Sequence, residues 1–575
     1  MSFDMIILGI SAYYHDSAAA LIVDGKVIAA VCEERFSRKK HDKSFPSASI
    51  KYCLKAANFN WFAIDHVVFY EKPFLKFERI LTSHIHYAPK GFKAFSKAIP
   101  IWLKERLNML STIKNELNRL WGCHRDWDIR FMSHHYSHAA MAYYTSQYSD
   151  AAVLVVDAVG ERATTSIFKA EGNRLSCLKQ QGFPHSIGLL YSAFTYFLGF
   201  KVNSDEYKVM GLAPYGRLED EQTRDFIEII YQKLVDVEND GSIIIQRVYF
   251  KFMYGLEMIN IPLWEKLFGL KSRKGNEPIS QGHKNLAAAI QKVTEDLFLL
   301  LARHAKKITH SENLCLSGGC ALNCAAMGKI RNSGLFSNVY VPFAPGDDGC
   351  AIGAALAFYG LLYKHTTIEP VSPYLGPSYT DEYIERMLQL KGYNYNYISG
   401  ANLYEYVATK ISEGNIVGWF QNRMEFGPRA LGNRSILADA RDAHMKDIVN
   451  SKIKFREEFR PFAPVVLQTK VHEYFNCPNS PYMMFTTQVN ANAKMIPAVT
   501  HVDNSARVQT VSKRENERLY NLLIAYEQIT GIPVLLNTSF NVMGEPIVCT
   551  PDDAICTFFS SGLDILVIND FIISK

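Results

Sequence analysis

Two histidines spaced four residues apart carry the most specific chemical signal in this sequence. His134 and His138 lie in "SHHYSHAAMAYY", an alanine-rich stretch that favours a helix. Residues at positions i and i+4 share one face of a helix, so both imidazoles can reach a single ion. A pair of surface or capping histidines is the alternative interpretation.

Two aspartates at the ends of predicted elements could join this pair. Asp157 ends an apolar strand, and Asp347 lies in a Pro-Gly-Asp-Asp-Gly turn. Strand ends and glycine turns are where an α/β fold directs side chains into its cleft. Two nitrogens and two oxygens suit a divalent transition metal, and these ligand types leave iron, zinc and manganese open. Asp348 could replace Asp347, and His135 could replace His134 although it lies off the shared face.

The arginine-rich segment 423–464 predicts a separate site for anions. Arg429 and Arg434 lie on tight turns, Lys454 comes shortly before an apolar "PFAPVVL", and the strand "VLLNTSFN" (534–541) ends in hydroxyls and amides. Guanidiniums, an ammonium and neutral donors are the groups that bind a dianionic substrate and a triphosphate. A solvated amphipathic helix is the alternative interpretation of this segment.

The elements that must position these residues form a repeated pattern. The apolar strand "MIILGI" is followed by "AAALIVDGKVIAAVCEE", in which Asp24 and Gly25 predict a hairpin turn. The same order of strand, polar turn and hairpin returns over residues 151–179. We therefore expect a duplicated unit whose halves face each other across a cleft.

A helix over 284–307 and a strand over 313–319 follow, and residues 338–360 predict a strand, a glycine-rich acidic turn and a helix. A glycine turn that opens a helix leaves backbone N–H groups for phosphate. The proline-containing stretch 361–380 predicts a linker.

The chain is long enough for more than one domain, and we place the two domains at 1–365 and 380–575. The lysine-rich segment 73–128 reads as a helical insertion. Together with 217–280, it is expected to shape the pocket for a substrate.

Composition excludes several classes of partner. The 575 residues carry a net charge of +5, which is too mild to predict a nucleic-acid groove. The 11 cysteines contain no C-x-x-C pair and predict reduced thiols in a cytoplasmic protein. The sequence contains no uninterrupted run of ~18 apolar residues, so no membrane span is predicted.

The first domain resembles that of the NodU/CmcH carbamoyltransferase family. The resemblance rests on "GISAYYHDSAAALIVDGK", "HHYSHAA", "LSGGCALN" and "PGDDGCAIGAA". It implies an α/β fold with a duplicated actin-like ATPase (ribonuclease-H-like) N-terminal domain, similar to the enzyme that transfers threonylcarbamoyl to tRNA. One departure is Ala158, where the family usually has glycine. A methyl group is tolerable there unless the backbone needs a positive φ.

The same resemblance implies roles for residues of this domain. A divalent metal, Fe2+ in the best-known relatives, would contact the phosphates of a bound nucleotide. Gly318, Gly319 and Asn323 would lie against its adenosine. His15 would face the transferred carbamoyl group, as the base for the acceptor hydroxyl or as an orienting group. The implied metal ligands are His134, His138, Asp157 and Asp347.

The second domain is similar to YrdC-type α/β enzymes, which make acyl-adenylates from ATP. The matching stretches are "FGPRALGNRSILAD", "KFREEFRPFAP", "NTSFN" and "SARVQTV". The resemblance implies that ATP, with Mg2+, and carbamoyl phosphate bind at Arg429, Lys454, Arg456, Arg460, Arg507, Ser539 and Asn541.

The function implied is an ATP-dependent O-carbamoyltransferase of antibiotic or toxin biosynthesis. It would make carbamoyl-adenylate and pass the carbamoyl group to a hydroxyl of a small natural-product acceptor. Three alternatives are a tRNA threonylcarbamoyl-type modification enzyme, a hydrogenase-maturation carbamoyltransferase and a non-enzymatic actin-like scaffold. Hydrogenase-maturation relatives carry C-x-x-C zinc modules, which this sequence lacks. The sequence leaves the acceptor and a homodimer open.

Overall fold

The computed structural model describes residues 5–101, 108–363 and 370–575. The predicted linker 361–380 includes residues 364–369, which lie outside the described residues. The chain divides into two compact units. The first runs to Ile28 and resumes over Phe45–Val371, and the second comprises Ala29–Ser44 and Ser372–Lys575.

The first part of the chain contains twelve strands and thirteen α-helices among the described residues. The strands are β1 (Ile6–Ser11), β2 (Ala18–Val23), β3 (Lys26–Cys32), β4 (His66–Phe69), β5 (Ile129–Phe131), β6 (Asp150–Val156), β7 (Ala163–Glu171), β8 (Arg174–Gly182), β9 (Val235–Val237), β10 (Ile243–Ile245), β11 (Asn313–Ser317) and β12 (Asn338–Tyr340). The helices are α1 (Glu34–Ser37), α2 (Ser47–Ala56), α3 (Pro73–Tyr87), α4 (Phe92–Ile101), α5 (Met109–Trp121), α6 (His134–Tyr144), α7 (Ile187–Phe197), α8 (Glu206–Leu212), α9 (Glu221–Ile229), α10 (Ile261–Phe268), α11 (Gln281–Thr309), α12 (Cys324–Asn332) and α13 (Cys350–Leu362).

Two five-stranded sheets repeat one strand order. The first has the order β3-β2-β1-β4-β5, and the second, taken from its other end, has the order β8-β7-β6-β11-β12. In the first sheet β1 is antiparallel to β2 and parallel to β4, and in the second β6 is antiparallel to β7 and parallel to β11. The predicted duplication is therefore confirmed, and the fold class is α/β, with two sheets of matching strand order in the first part of the chain.

Local sequence explains the elements that carry the candidate metal ligands. The hairpin between β2 and β3 turns at Asp24 and Gly25, whose φ angles are 49° and 79°, as a type I′ turn requires. Helix α13 packs closely on α6, because a Cβ on Gly353 would lie 2.0 Å from the backbone oxygen of Ser137. Ala158 is not among the residues with a positive φ, so its methyl group is accommodated.

The second part of the chain builds an eight-stranded sheet with the order β13-β22-β21-β14-β15-β20-β16-β19. The strands are β13 (Asn396–Tyr397), β14 (Val417–Phe420), β15 (Arg434–Asp439), β16 (Ala463–Leu467), β17 (Thr486–Gln488), β18 (Ser505–Arg507), β19 (Gln509–Val511), β20 (Val534–Ser539), β21 (Ile565–Ile568) and β22 (Phe571–Ser574). The helices are α14 (Asp381–Leu390), α15 (Ala401–Ser412), α16 (Met445–Val449), α17 (Val471–Tyr474), α18 (Glu517–Thr530) and α19 (Pro551–Ser560).

This sheet is buried on both faces. Along β20, Val534 and Leu536 pack into one hydrophobic cluster, and Leu535 packs into another on the opposite face. Helices contribute to both clusters, which is why the strand reads as a continuous apolar run rather than an alternating one.

Two observations bear on the predictions from composition. Within the described ranges, no helix is both long and apolar enough to cross a bilayer. All 11 cysteines are free thiols in the structure.

Candidate active site

The predicted metal ligands come together in the first unit. His134 Nε2 lies 3.1 Å from His138 Nε2 and 3.1 Å from Asp157 Oδ2. Asp347 Oδ1 lies 3.4 Å from His138 Nε2 and 3.6 Å from His134 Nε2. All four side chains are buried, and one ligand atom from each lies within 4.8 Å of the others. The helix spacing of the histidines and the strand-end position of Asp157 account for this convergence.

The geometry fits a divalent cation. Nitrogen and oxygen ligands bind such a cation at about 2.0–2.2 Å, which separates neighbouring ligand atoms by roughly 3.0–3.5 Å. The observed separations of 3.1–3.6 Å agree with that spacing. Cys350 also brings its sulfur within 4.8 Å of the two histidine nitrogens, a ligand that the sequence analysis did not consider.

Electrostatics favour negative carboxylates in this cluster. Burial favours the neutral acid, but the hydrogen bond and charge of His134 outweigh it and lower the pKa of Asp157. Burial is likewise outweighed by the charges of His134 and His15, which lower the pKa of Asp347. Burial lowers the pKa of His134, but the carboxylates of Asp347 and Asp157 raise it to about 9.

The two alternative ligands have other partners. His135 Nδ1 lies 2.7 Å from Ser166 Oγ, and burial together with the charge of His134 lowers the pKa of His135 to about 3. Asp348 Oδ1 accepts a hydrogen bond from the backbone N–H of Gly349 at 2.9 Å. His134 and Asp347 are therefore the members that share the cluster.

Two residues that sequence reasoning missed hold His134 in place. Glu161 is buried, and its Oε1 accepts hydrogen bonds from the backbone N–H of His134 at 2.9 Å and of Lys72 at 2.8 Å. This carboxylate occupies the N-terminus of α6, where negative charge is favoured. A Cβ on Gly160 would lie 2.8 Å from His134 Cδ2, so only glycine leaves room for the imidazole.

His15 lies at the edge of this cluster. Its Nδ1 is 2.8 Å from Asp16 Oδ2, and its Nε2 is 3.7 Å from Asp347 Oδ2. Burial lowers the pKa of His15, but Asp347 and Asp16 outweigh it and raise the pKa to about 9. The imidazole is about one third exposed, so a substrate can reach it.

The glycines predicted to face adenosine adjoin the end of β6, next to Asp157. Gly318 has a φ of +91°, and a Cβ there would meet the backbone oxygen of Val156 at 2.2 Å. The N–H of Gly319 donates to Asp157 Oδ1 at 3.2 Å. Asn323 caps α12 and exchanges two amide hydrogen bonds of 3.0 Å with Gln291, a partner that no motif indicated.

In the second unit, Lys454 is buried against the end of β20. Its Nζ donates to Asn541 Oδ1 at 2.9 Å, to the Asn541 backbone oxygen at 3.0 Å, to Ser539 Oγ at 3.3 Å and to the Ser539 backbone oxygen. All four acceptors are neutral. Burial, followed by the positive charges of Arg456 and Arg460, lowers the pKa of Lys454 well below its ordinary value.

Five of the predicted anion-binding residues lie close together: Lys454, Arg456, Arg460, Ser539 and Asn541. Arg456 Nε donates to Asn450 Oδ1 at 2.7 Å, and its guanidinium lies 4.5 Å from the centre of the Phe462 ring. Arg460 has a distant acidic partner, with 3.8 Å between its NH1 and Glu457 Oε2. Lys40, in the segment Ala29–Ser44, adds a further positive charge near Lys454 that the sequence analysis missed.

Two predicted arginines are placed differently. Arg429 is partly buried on the turn between Gly427 and Gly432, and Arg507 ends β18. Neither is among the principal charges acting on Lys454.

The interpretation of Arg434 as an anion-binding residue on a turn is wrong. Its guanidinium is fully buried, donates to the backbone oxygens of Asn433 and Pro377 at 2.7 and 2.9 Å, and stacks 3.6 Å from the centre of the Phe420 ring. It secures the loops around β14 and β15.

Comparison with known proteins agrees with the two-part organisation. Residues 6–356 match the family model described as Carbamoyltransferase N-terminus, and residues 408–575 match the one described as Carbamoyltransferase C-terminus. An uncharacterised protein of Synechocystis sp. is 46% identical over 600 residues, covering 99% of this chain and 96% of that protein. Nodulation protein NolNO of Sinorhizobium fredii is 38% identical, and the alignment covers 98% of this chain and 80% of that protein.

A solved structure, the (R)-2-hydroxyglutaryl-CoA dehydratase component A of Acidaminococcus fermentans, aligns with a TM-score of 0.30 and 12% identity over 62% of this chain and 98% of its own. The family matches cover both units and most of the sequence. The motifs that resembled a carbamoyltransferase thus lie in a chain that is an enzyme of the carbamoyltransferase family.

Proposed function

We propose that this enzyme is an ATP-dependent O-carbamoyltransferase that forms carbamoyl-adenylate and transfers the carbamoyl group to the hydroxyl of a small acceptor. The observation that supports the first step is the surroundings of Lys454. Among the described residues, its ammonium donates to neutral oxygens only, while Arg456 and Arg460 add positive charge. Such an excess of cations suits phosphate groups and stabilises the charge that develops on them.

The first step is assigned to the domain at 380–575. Carbamoyl-adenylate is a mixed anhydride of carbamate and AMP, and it retains no phosphate from carbamoyl phosphate. Its formation therefore consumes one water molecule. Carbamoyl phosphate and water give carbamate and orthophosphate, and a carbamate oxygen then attacks the α-phosphorus of ATP, bound with Mg2+. The bond from that phosphorus to the β,γ-bridge breaks, and pyrophosphate leaves. Lys454 and Ser539 bind the phosphate oxygens, with Arg429, Arg456, Arg460, Arg507 and Asn541 as further anion-binding residues.

The second step is assigned to the domain at 1–365. The acceptor hydroxyl oxygen attacks the carbamoyl carbon, the bond from that carbon to the AMP oxygen breaks, and AMP leaves. His15 orients the carbamoyl group or accepts the hydroxyl proton, and for the second role it must first lose the proton that a pKa of about 9 retains at neutral pH. A divalent transition metal, for which Fe2+ is our proposal, would be held by His134, His138, Asp157 and Asp347 and would supply positive charge for the phosphate. Gly318, Gly319 and Asn323 hold the adenosine.

The first step can be tested without knowledge of the acceptor. Wild-type enzyme with Mg2+, ATP and carbamoyl phosphate should release equal amounts of pyrophosphate and orthophosphate, and omission of carbamoyl phosphate should stop pyrophosphate release. Lys454→Ala should abolish this release, whereas Lys452→Ala, at an exposed position two residues away, should not. Undiminished release from Lys454→Ala would remove Lys454 and its neighbours from the first step.

A further inference from the structure

A cavity of about 230 Å³ lies in the first unit beside the histidine–aspartate cluster. Tyr14 lines the cavity and precedes His15, with the two rings 4.7 Å apart. Val159, two residues after Asp157, lines the same cavity. Tyr14 and Val159 therefore place one end of the cavity next to the residues that would act on the acceptor hydroxyl.

Two chain segments with no assigned chemistry supply much of the wall. Helix α3, from the segment 73–128, contributes Arg79 and His84, and the segment 217–280 contributes Phe252 and Met253. With Phe183, the latter two residues give the cavity an apolar side. A volume of this size holds a ring with a few substituents rather than an oligosaccharide.

Arg79 lines this cavity, whereas its basic neighbours Lys76 and Arg162 do not. Lys76 pairs with Glu71 at 2.6 Å, and Arg162 pairs with Glu78 at 2.6 Å. Among the described residues, Arg79 has no carboxylate oxygen within ion-pair distance, and its Nε is buried without a hydrogen-bond partner. Its guanidinium lies 5.0 Å from the centre of the Phe183 ring.

His84 also lines the cavity. Its Nδ1 lies 2.8 Å from the backbone oxygen of Ile80, one turn earlier, while its Nε2 is buried without a partner. Burial lowers the pKa of the Arg79 guanidinium and outweighs the carboxylates of Glu71 and Glu161, which act on it from beyond ion-pair distance. A ligand that brings an anionic oxygen into contact would stabilise the charged form. Because the guanidinium already lies against the Phe183 ring, an anionic group would contact its free N–H edge while an apolar body lies beside the ring.

We infer that this cavity binds the acceptor, and that the acceptor is a hydroxylated molecule with an apolar body and an anionic oxygen group that pairs with Arg79. The apolar body lies on Phe183, Phe252 and Met253, and the hydroxyl lies at the His15 end. This assignment rests on the proposed function for the identity of the cavity's occupant, and on the wall residues for its charge.

Binding of three isosteric probes to the full-length enzyme tests the charge preference without ATP. The probes are 4-(hydroxymethyl)benzoate, its neutral amide and the cationic 4-(hydroxymethyl)benzylamine, and calorimetry gives their Kd values. The anion should bind about tenfold or more tightly than the amide, and the amine should bind most weakly. Arg79→Gln should remove the preference while the amide still binds, Arg79→Lys should keep part of it, and Arg162→Gln, which removes a paired arginine, should leave it unchanged.

Equal binding of the three probes, binding of none of them, or an unchanged preference in Arg79→Gln would overturn the inference. Its failure can be told apart from failure of the proposed function. Charge-selective binding without pyrophosphate release from ATP and carbamoyl phosphate refutes the function and keeps the cavity's specificity. Pyrophosphate release with no charge preference keeps the function and refutes the anionic acceptor.

Discussion

His134 Nε2 and His138 Nε2 face each other at 3.1 Å, with the two ring planes nearly perpendicular. Two imidazole nitrogens that point at one position, with Asp157 and Asp347 oxygens around them, have room for one shared proton, because two protons there would repel each other. A cation between them would use both lone pairs and both carboxylates at once.

Loss of either histidine should remove bound metal. His138→Ala deletes one of two nitrogen ligands, so metal retained after purification, measured by mass spectrometry, should fall at least about tenfold. His135→Gln is the matched control, because His135 is a buried neighbour on the same helix whose ring nitrogen lies beside Ser166 instead. Wild-type enzyme that transfers carbamoyl groups with no bound divalent metal would contradict this assignment.

A single methyl group on Gly160 should disturb the same site. The added Cβ would lie 2.8 Å from His134 Cδ2 and would push the imidazole from its position. We expect Gly160→Ala to weaken metal binding about tenfold or more in a competition titration. In the control Gly182→Ala the new Cβ lies 3.5 Å from the nearest atom, the Arg162 oxygen, and affinity should not change. Equal affinities for the two variants would show that the ring has room to move.

The parts of the site that could be predicted from sequence are those set by local geometry. His134 and His138 follow from helical spacing, and Asp157 follows from the end of an apolar strand. The duplicated sheets follow from a repeated order of strands and turns, because short-range patterning decides which faces are buried.

The rest depends on contacts between distant segments. Glu161 and Arg79 carry no motif, and only folding brings them to His134 and to the cavity wall. The turn position of Arg434 predicts an exposed side chain, whereas the buried backbone oxygens around it need a donor and draw it into the interior. Lys40 was missed because its segment packs into a unit more than three hundred residues away in sequence.

Glu161 should contribute to stability through the two backbone N–H groups that it satisfies. Glu161→Ala leaves the N–H groups of His134 and Lys72 without this acceptor, so the free energy of unfolding should fall by about 2–4 kcal/mol. The measurement is urea unfolding followed by tryptophan fluorescence. Glu161→Gln keeps an acceptor oxygen and should recover most of the loss. If the alanine and glutamine variants were equally stable, the hydrogen bonds would not be the source of the effect.

Lys454 should make anion binding depend on pH. Its pKa is lowered in the folded protein, first by burial and then by Arg456 and Arg460, from the ordinary value of 10.5. The unfolded chain therefore holds this proton more tightly. As pH rises from the folded pKa towards 10.5, this residue increases the free energy of unfolding. An anion bound against Lys454 reverses the balance, because it stabilises the ammonium and draws a proton onto the side chain.

Sulfate is a suitable probe, since its charge does not change between pH 6 and pH 10. Its affinity should decrease as pH rises through the folded pKa of Lys454, at a slope approaching tenfold per pH unit, and calorimetry in buffers of different ionisation enthalpy should detect proton uptake on binding. Lys454→Met should bind sulfate weakly and without that slope. Lys452→Met, which alters an exposed lysine of the same turn, should keep both the affinity and its pH dependence. If the slope persists in Lys454→Met, a group other than Lys454 titrates. That group is not one of the neighbouring arginines, because they stay charged across this range.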